Sequence, residues 1–259
     1  MTKGVSIVIP CKDEAARILD TVDEVQRWCR ANLDAFEIVV VDDGSTDGTA
    51  DAVRRRFGDG VRVLALPENR GKGHAIRRGV ELATLPRVLF LDADHAIHVR
   101  HLETFLPAAV RAPVVVGSKR HPGAEVERSG LRAAAGHMGQ WLIGRLACPG
   151  IHDTQCGFKL LDTDLARSLL AFQRIERFGY DFELLFLARR AGAEIVELPV
   201  HCRDAGDGSV RPGSYLHTLG ELLRFSAHRV RGRYRAVRPA PCDGRSERLS
   251  SAPPSLPEP

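Results

Sequence analysis

The sequence has no C-x-x-C pair. Its six cysteines (Cys11, Cys29, Cys148, Cys156, Cys202 and Cys242) also lack a His partner at zinc-finger spacing. A closed zinc site is therefore not expected, and the thiols read as the reduced cysteines of a cytosolic protein. A basic and apolar leader is missing as well. Met1 to Gly4 runs directly into a β-branched segment, so the expectation is a protein that is not secreted. Long apolar runs are absent: the longest candidate, Ala133 to Gly144, is closed by Arg132 and Arg145. It falls short of the roughly 18 uncharged apolar residues of a membrane span. Work at a membrane would then have to be done on its surface or through a partner. There is no internal repeat, and the net charge of +4 is mild when averaged over the chain.

What is present suits one catalytic unit. At 259 residues, with 44% apolar and 27% charged residues, the chain can bury one substantial α/β core but hardly two. The expected division is a catalytic domain over 1–235 and a flexible tail over 236–259, where Pro, Ser and Arg dominate and apolar periodicity ends. Positive charge gathers late, in Arg224, Arg229, Arg231, Arg233, Arg235 and Arg238. Such a cluster suits nucleic acid or anionic lipid, and equally a solvated charged face.

Val5 to Ile9 and Glu37 to Val41 are β-branched runs that end at Pro10 and at Asp42-Asp43-Gly44. Both read as buried parallel strands. Glu14 to Arg30 and Asp47 to Phe57 follow them at helical spacing. Val61 to Leu66, a helix over Gly73 to Ala83, Val88 to Leu91 and Val114 to Val116 continue the alternation. This pattern predicts an open right-handed βαβ sheet covered on both faces, with ligands beyond the carboxyl ends of its strands. Further on, Arg128 to Leu146 reads as a weakly apolar helix and Thr154 to Leu161 as extended or looped. Asp181 to Ala191 reads as a helix, Glu194 to Val200 as a strand, and Tyr215 to Arg229 as an amphipathic helix.

The polar clusters fall at the strand ends. Asp92-Ala93-Asp94 closes the run Val88 to Leu91, and two acids one residue apart repel unless a cation neutralises them. That points to Mg²⁺ or Mn²⁺ bridging to a diphosphate, against the alternative of a solvated Asp-rich turn. After the second strand, Asp42 and Asp43 can accept from a base N–H or a ribose hydroxyl. Gly44 admits close backbone approach, and Asp47 is expected to cap the next helix. Asn69-Arg70-Gly71-Lys72-Gly73 opens a helix with two glycines and two cations, a candidate anion site through Arg70 and Lys72. It lacks the G-K-[ST] ending of a phosphate-binding P-loop.

Taken in order, these clusters resemble the glycosyltransferases of family 2. The matching pieces are Ile7-Val8-Ile9-Pro10 with Asp13-Glu14, Val39 through Thr49, Asn69 through Gly73, and Asp92-Ala93-Asp94. Gly117-Ser118-Lys119-Arg120, Asp153-Thr154-Gln155-Cys156-Gly157-Phe158-Lys159 and Phe182-Glu183-Leu184-Leu185 resemble one branch in particular. That branch holds the dolichyl-phosphate glucosyltransferases and dolichol-phosphate mannose synthases, and the stretch from Asp153 to Lys159 is nearest the glucosyl enzymes. The resemblance covers Val5 to Arg235. It implies an α/β GT-A fold: a Rossmann-like, mostly parallel nucleotide-binding sheet with helices on both faces. It implies an inverting, metal-dependent hexosyltransferase using Mg²⁺ or Mn²⁺, which moves a sugar, glucose from UDP-glucose, to a polyprenyl or dolichyl phosphate.

By the same resemblance, nucleotide-sugar contacts fall to Pro10, Lys12, Glu14, Val41, Asp43, Arg70 and Lys72, and metal and diphosphate contacts to Asp92, Ala93 and Asp94. Lys12 stands where relatives often carry an aromatic residue. Ala96 replaces a metal-binding Gln of the mannose synthases, so the metal is expected to have fewer protein ligands. A late G-x-S-K element becomes Gly208-Ser209-Val210-Arg211, which makes Arg211 a substitute for its lysine. Because a lipid phosphate is already ionised, no strong base is needed. Lys119, Arg128, Arg132, Arg203 and Arg211 are the candidates to hold two anions together, with Asp153 also in the catalytic set. The partners implied are a membrane surface or a membrane-anchoring protein on the cytoplasmic face, and no nucleic acid. Rival readings are another donor (GDP-mannose, UDP-GlcNAc or UDP-GalNAc), a soluble acceptor, or a nucleotide-binding protein without transfer activity.

Overall fold

The computed structural model describes residues 4–126, 148–203 and 213–237, with side chains from residue 220 onward in the last stretch. In β1 (Gly4–Cys11), Val5, Ile7 and Ile9 point into one layer of core and Val8 into the other; in β2 (Ala35–Asp42), Ile38 and Val40 alternate with Val39 and Val41 in the same way. Strands buried on both faces read as unbroken apolar runs, and these pair in parallel. β1 pairs with β2 from Gly4 opposite Ala35 to Cys11 opposite Asp42, β2 with β3 (Arg62–Ala65), and β1 with β4 (Arg87–Phe90). The crossovers carry α1 (Ile18–Asn32), α2 (Thr49–Phe57) and α3 (Lys72–Leu82).

The sheet order β3-β2-β1-β4 means that after β3 the chain crosses to the other side of β1. β1 and β4 thus flank the point where the winding reverses, and the crevice beyond their carboxyl ends is where open α/β sheets bind ligands. The residues after Cys11 and after Phe90 enter it.

Beyond β4 the regular alternation stops. β5 (Val114–Ser118) does not pair with β4; β7 (Lys159–Asp162) runs antiparallel between them, and β8 (Ile195–Pro199) lies parallel on the outer side of β5. A short pair, β6 (Glu125–Val126) with β9 (His201–Cys202), stands apart. The stretch expected to be extended or looped is therefore a loop that ends in an inserted strand.

Two helices escape the sequence reading. α4 (Leu102–Ala109) is short and carries Pro107, which blurs its period. α5 (Thr163–Leu170) is announced by Asp162, whose side chain accepts from the amides of Asp164 and Leu165 as an N-cap. Asp47, expected to cap α2, stands one residue ahead of the cap position, which Gly48 fills at φ 84°. Its carboxylate still accepts from the Thr49 amide at 3.0 Å, and also from the Ala15 amide, so it ties the two strand ends together.

Residues from α1, α2 and α4 (Ile18, Val22, Val25, Val53, Phe105) cover one face of the sheet. The other face is covered from α3, α5, α6 (Tyr180–Arg190) and α7 (Gly213–Val230), by Ile76, Leu169, Leu185, Leu222 and Phe225 among others. The expected apolar face of α7 is in part spent here: Leu222 and Phe225 are 2% and 1% exposed, and Phe225 meets Phe182 and Phe186 edge to face. Leu223 is 65% exposed. Among the described residues, no helix is long and apolar enough to cross a membrane. The expected helix over Arg128 to Leu146 lies outside the described residues, as does the expected tail over 236–259 from residue 238 onward; Val237, at the start of that tail, is 5% exposed and belongs to the core.

Candidate active site

β4 is held on both sides, by β1 and β7, and the Leu91 amide extends the pairing to Val8. The carboxylates that follow are thus delivered by a rigid strand. Asp92 receives Lys72, the first residue of α3, at 2.5 Å. The carbonyl of Ala93 accepts from the Thr21 hydroxyl of α1 at 2.8 Å, and Asp94 accepts the Ala96 amide at 3.0 Å. His95 completes the turn at φ 60°, a left-handed conformation costly for a non-glycine residue. Gly157 lies directly against Asp92: a β-carbon there would fall 2.6 Å from Oδ1 and closer still to Oδ2.

The two acids differ electrostatically. Burial disfavours the charged form of Asp92, but Lys72, then Lys119 and Lys159, outweigh it and hold the carboxyl below its usual range. Asp94 is pushed upward, first by burial and then by Asp92 itself. The pair has one neutralised carboxylate and one with too little positive charge beside it. Among the described residues, no group of three His, Cys, Asp or Glu side chains is gathered to hold a metal ion. Two carboxylates plus phosphate oxygens fit Mg²⁺ or Mn²⁺, which take hard oxygen donors and commonly share them with a substrate phosphate.

At the end of β2, Asp43 is 4% exposed and accepts from the amides of Arg70 (3.0 Å) and Gly71 (2.7 Å). The amides of the loop expected to bind an external anion hold this carboxylate instead. Both cations of that loop are likewise paired: Lys72 with Asp92, and Arg70 with Glu176 at 2.5 Å. Gly71, at φ 118°, packs on the backbone of Glu176 and Arg177 where no side chain fits. Asp42 accepts the Ser45 amide at 2.8 Å. Pro10 and Val41 are buried register partners at the ends of β1 and β2. Lys12 pairs with its neighbour Asp13. Glu14 receives Arg17 through both oxygens, at 2.8 and 3.0 Å; burial raises its pKa and Arg17 only partly offsets that.

The third wall is the stretch from His152 to Lys159. Glu197 on β8 accepts the amides of His152 (2.9 Å) and Asp153 (3.1 Å). Asp153, 3% exposed, accepts the amides of Lys119 (3.0 Å) and Gln155 (3.2 Å). Burial alone would lower the pKa of Lys119, but Asp153 and Asp92 raise it, so its ammonium stays charged beside the crevice. Lys159 is fully buried, bonded to the Cys156 carbonyl at 2.5 Å and paired with Asp181. Arg203 reaches the same region through its amide, which donates to Ala96 at 2.9 Å. Arg128, Arg132 and Arg211 lie outside the described residues.

Asp92, Asp94, Lys72, Lys119, Asp153 and Asp43 are therefore brought to one crevice. Arg70 stands at its outer edge. Gly157, Lys159, Glu176 and Glu197 have no individual role in the sequence reading. Of these, only Gly157 and Lys159 carried a signal, as the unexplained small and charged members of an otherwise interpretable motif.

The model of the family described as glycosyl transferase family 2 matches residues 6–170. The dolichyl-phosphate beta-glucosyltransferase of Mus musculus is 33% identical over 253 residues, covering 90% of this chain and 78% of the mouse protein. Among solved structures, mannosyl-3-phosphoglycerate synthase from Rubrobacter xylanophilus superposes with a TM-score of 0.68 at 20% identity, over 98% of this chain and 78% of that one. Glucosyl-3-phosphoglycerate synthase from Mycobacterium tuberculosis, in complex with Mn²⁺, uridine diphosphate and phosphoglyceric acid, gives 0.64 at 22% identity, over 90% of this chain and 78% of that one. These two likenesses show the shared GT-A fold. With a family model matched over more than half its length and a relative this similar over most of both chains, the protein belongs to glycosyl transferase family 2, in the branch of the dolichyl-phosphate β-glucosyltransferases.

Proposed function

We propose that this enzyme transfers glucose from UDP-glucose to a polyprenyl or dolichyl phosphate, with inversion at the anomeric carbon. The observation that carries the proposal is the pair of carboxylates at the end of β4, one matched by Lys72 and the other under-neutralised, at the point where the sheet reverses. The names of its relatives support the sugar and the acceptor.

An oxygen of the lipid phosphate attacks the anomeric carbon from the face opposite the leaving group. The bond from that carbon to the β-phosphate oxygen of UDP breaks, and UDP leaves. The acceptor oxygen carries no proton at neutral pH, so no side chain has to remove one. Asp92 and Asp94 are the residues that would hold Mg²⁺ or Mn²⁺, which supplies charge stabilisation to the departing diphosphate. Lys72 fixes Asp92 in position. Lys119, charged and half-buried, offsets the repulsion between the two phosphates. Asp43 sets the loop from Arg70 to Lys72 against the donor side. We assign attachment to the cytoplasmic face of a membrane either to the exposed basic end of α7 or to a partner protein, since Leu222 and Phe225 are already committed to the core.

The test is incubation of the purified chain with Mn²⁺, polyprenyl phosphate and, in separate reactions, radiolabelled UDP-glucose, GDP-mannose and UDP-GlcNAc, followed by organic extraction. Label in the organic phase from UDP-glucose alone is the expected result. Label from GDP-mannose instead refutes the donor, and an organic phase free of label from all three donors refutes the lipid acceptor.

A further inference from the structure

A cavity of about 370 Å³ opens behind the loop that precedes α3. Three segments wall it: Glu68 to Arg70, Arg174 to Arg177 between α5 and α6, and a stripe of α7 formed by Glu221, Arg224 and His228 at i, i+3 and i+7. None of Asp92, Asp94, Asp43 or Lys119 lines it, so it is separate from the strand-end crevice.

Its charges are not balanced. Four arginines, at 70, 174, 177 and 224, meet the carboxylates of Glu68, Glu176 and Glu221. Two of those acids are engaged already. Glu176 takes Arg70 at 2.5 Å and Arg77 at 3.8 Å, and Glu221 accepts the Gly179 amide at 2.8 Å. Among the described residues, no ion pair within 4.0 Å uses the side chain of Arg174, Arg177 or Arg224. On the third wall, Nδ1 of His228 is shielded from solvent and has no hydrogen-bond partner. The imidazole is held below its usual pKa by burial and then by Arg233, Arg174 and Arg231, which reports a positive field around it.

A tetrahedral phosphate presents acceptor oxygens in several directions and can take guanidinium groups from separate segments at once, whereas a carboxylate offers one planar edge. We propose that this cavity is a second phosphate subsite, distinct from the place of the donor diphosphate, and that Arg174, Arg177, Arg224 and His228 receive one phosphate group there. The phosphate belongs to a lipid headgroup or to a small soluble phosphate compound. Arg70 joins the subsite to the donor side, because it lines the cavity while its amide donates to Asp43.

Thermal melts of the full chain in inorganic phosphate, against KCl at matched ionic strength, test the subsite without any turnover. Its failure is therefore distinguishable from failure of the transferase reading. The wild type should show a saturable rise in melting temperature. The double variant Arg174→Ala, Arg224→Ala should need about tenfold more phosphate or lose the response, and Arg174→Lys, Arg224→Lys should keep most of it. A rise in the alanine double variant equal to that of the wild type, or no rise beyond KCl in the wild type, overturns the proposal.

A second arm names the source of the phosphate. Sedimentation with phosphatidylglycerol vesicles that is lost in the alanine variant and competed by inorganic phosphate assigns the subsite to a lipid headgroup. Unchanged vesicle binding in a variant that has lost its phosphate response assigns it to a soluble phosphate compound.

Discussion

Replacing Gly157 by alanine separates the geometry of the site from the stability of the fold. The residue is not in the left-handed region, so alanine meets no backbone strain there. The added β-carbon would fall 2.6 Å from Oδ1 of Asp92 and nearer to the rest of its carboxylate. What must move is the end of one side chain rather than a strand. The stability cost is therefore expected at the low end of overpacking, about 1 kcal/mol. The catalytic cost is larger, because the displaced carboxylate leaves Lys72 and the position it shares with Asp94. Losing one preorganised charge contact to a developing anion typically costs on the order of a hundredfold to a thousandfold in turnover. Denaturant melts paired with steady-state transfer from UDP-glucose read both quantities. A variant that transfers glucose at the wild-type rate would show that the contact between Gly157 and Asp92 does not matter to the reaction.

Changing Asp94 to Asn should reduce turnover by about a hundredfold or more with little change in melting temperature, and excess EDTA should silence the wild type; full activity in either case refutes the metal role. Glu183 is fully buried and pushed up to about 7, first by burial, against the hydrogen bonds from Tyr234, Ile175 and Arg174. Its raised pKa means that the folded state holds a proton the unfolded chain has released, so stability falls as pH rises from about 4.5 to about 7 and then levels. That loss is roughly 3 kcal/mol, and Glu183→Gln should flatten the decline; an unchanged slope in chemical melts at stepped pH refutes it. Phe225→Ala should cost about 3 to 5 kcal/mol in the absence of lipid, because its ring packs on Phe182 and Phe186. A near-neutral effect would return that face of α7 to the membrane.

The first half of the fold was legible because periodicity and position agreed. Val5 to Ile9, Glu37 to Val41 and Val88 to Leu91 are apolar on both faces, and the second and third end in carboxylates that cannot stay buried unpaired. That is why the carboxylates at 92 and 94 could be placed at strand ends from sequence alone. The second half was harder. β7 is antiparallel and inserted between β4 and β5, a pairing between distant segments that a short apolar run does not specify. The partners of the site residues were invisible for the same reason. Lys72 on Asp92 joins residues 20 apart, Glu197 on Asp153 joins residues 44 apart, and Glu176 reaches Arg70 across 106. Local spacing identified which cations stood near the site, and only the tertiary structure shows which carboxylate each one meets. Asp43 is the sharpest case: its place at the end of β2 was foreseen, but its bonds to the Arg70 and Gly71 amides depend on how α3 returns over the sheet.

The most direct measurement is the anomeric configuration of the lipid product, read by proton NMR after the chain has consumed UDP-glucose with polyprenyl phosphate and Mn²⁺. The donor is α-linked, and a single attack by the phosphate oxygen from the opposite face predicts a β-glucosyl phosphate, formed in step with UDP. An α-linked product would contradict direct displacement at this site, and UDP release without any glucosylated lipid would contradict the acceptor.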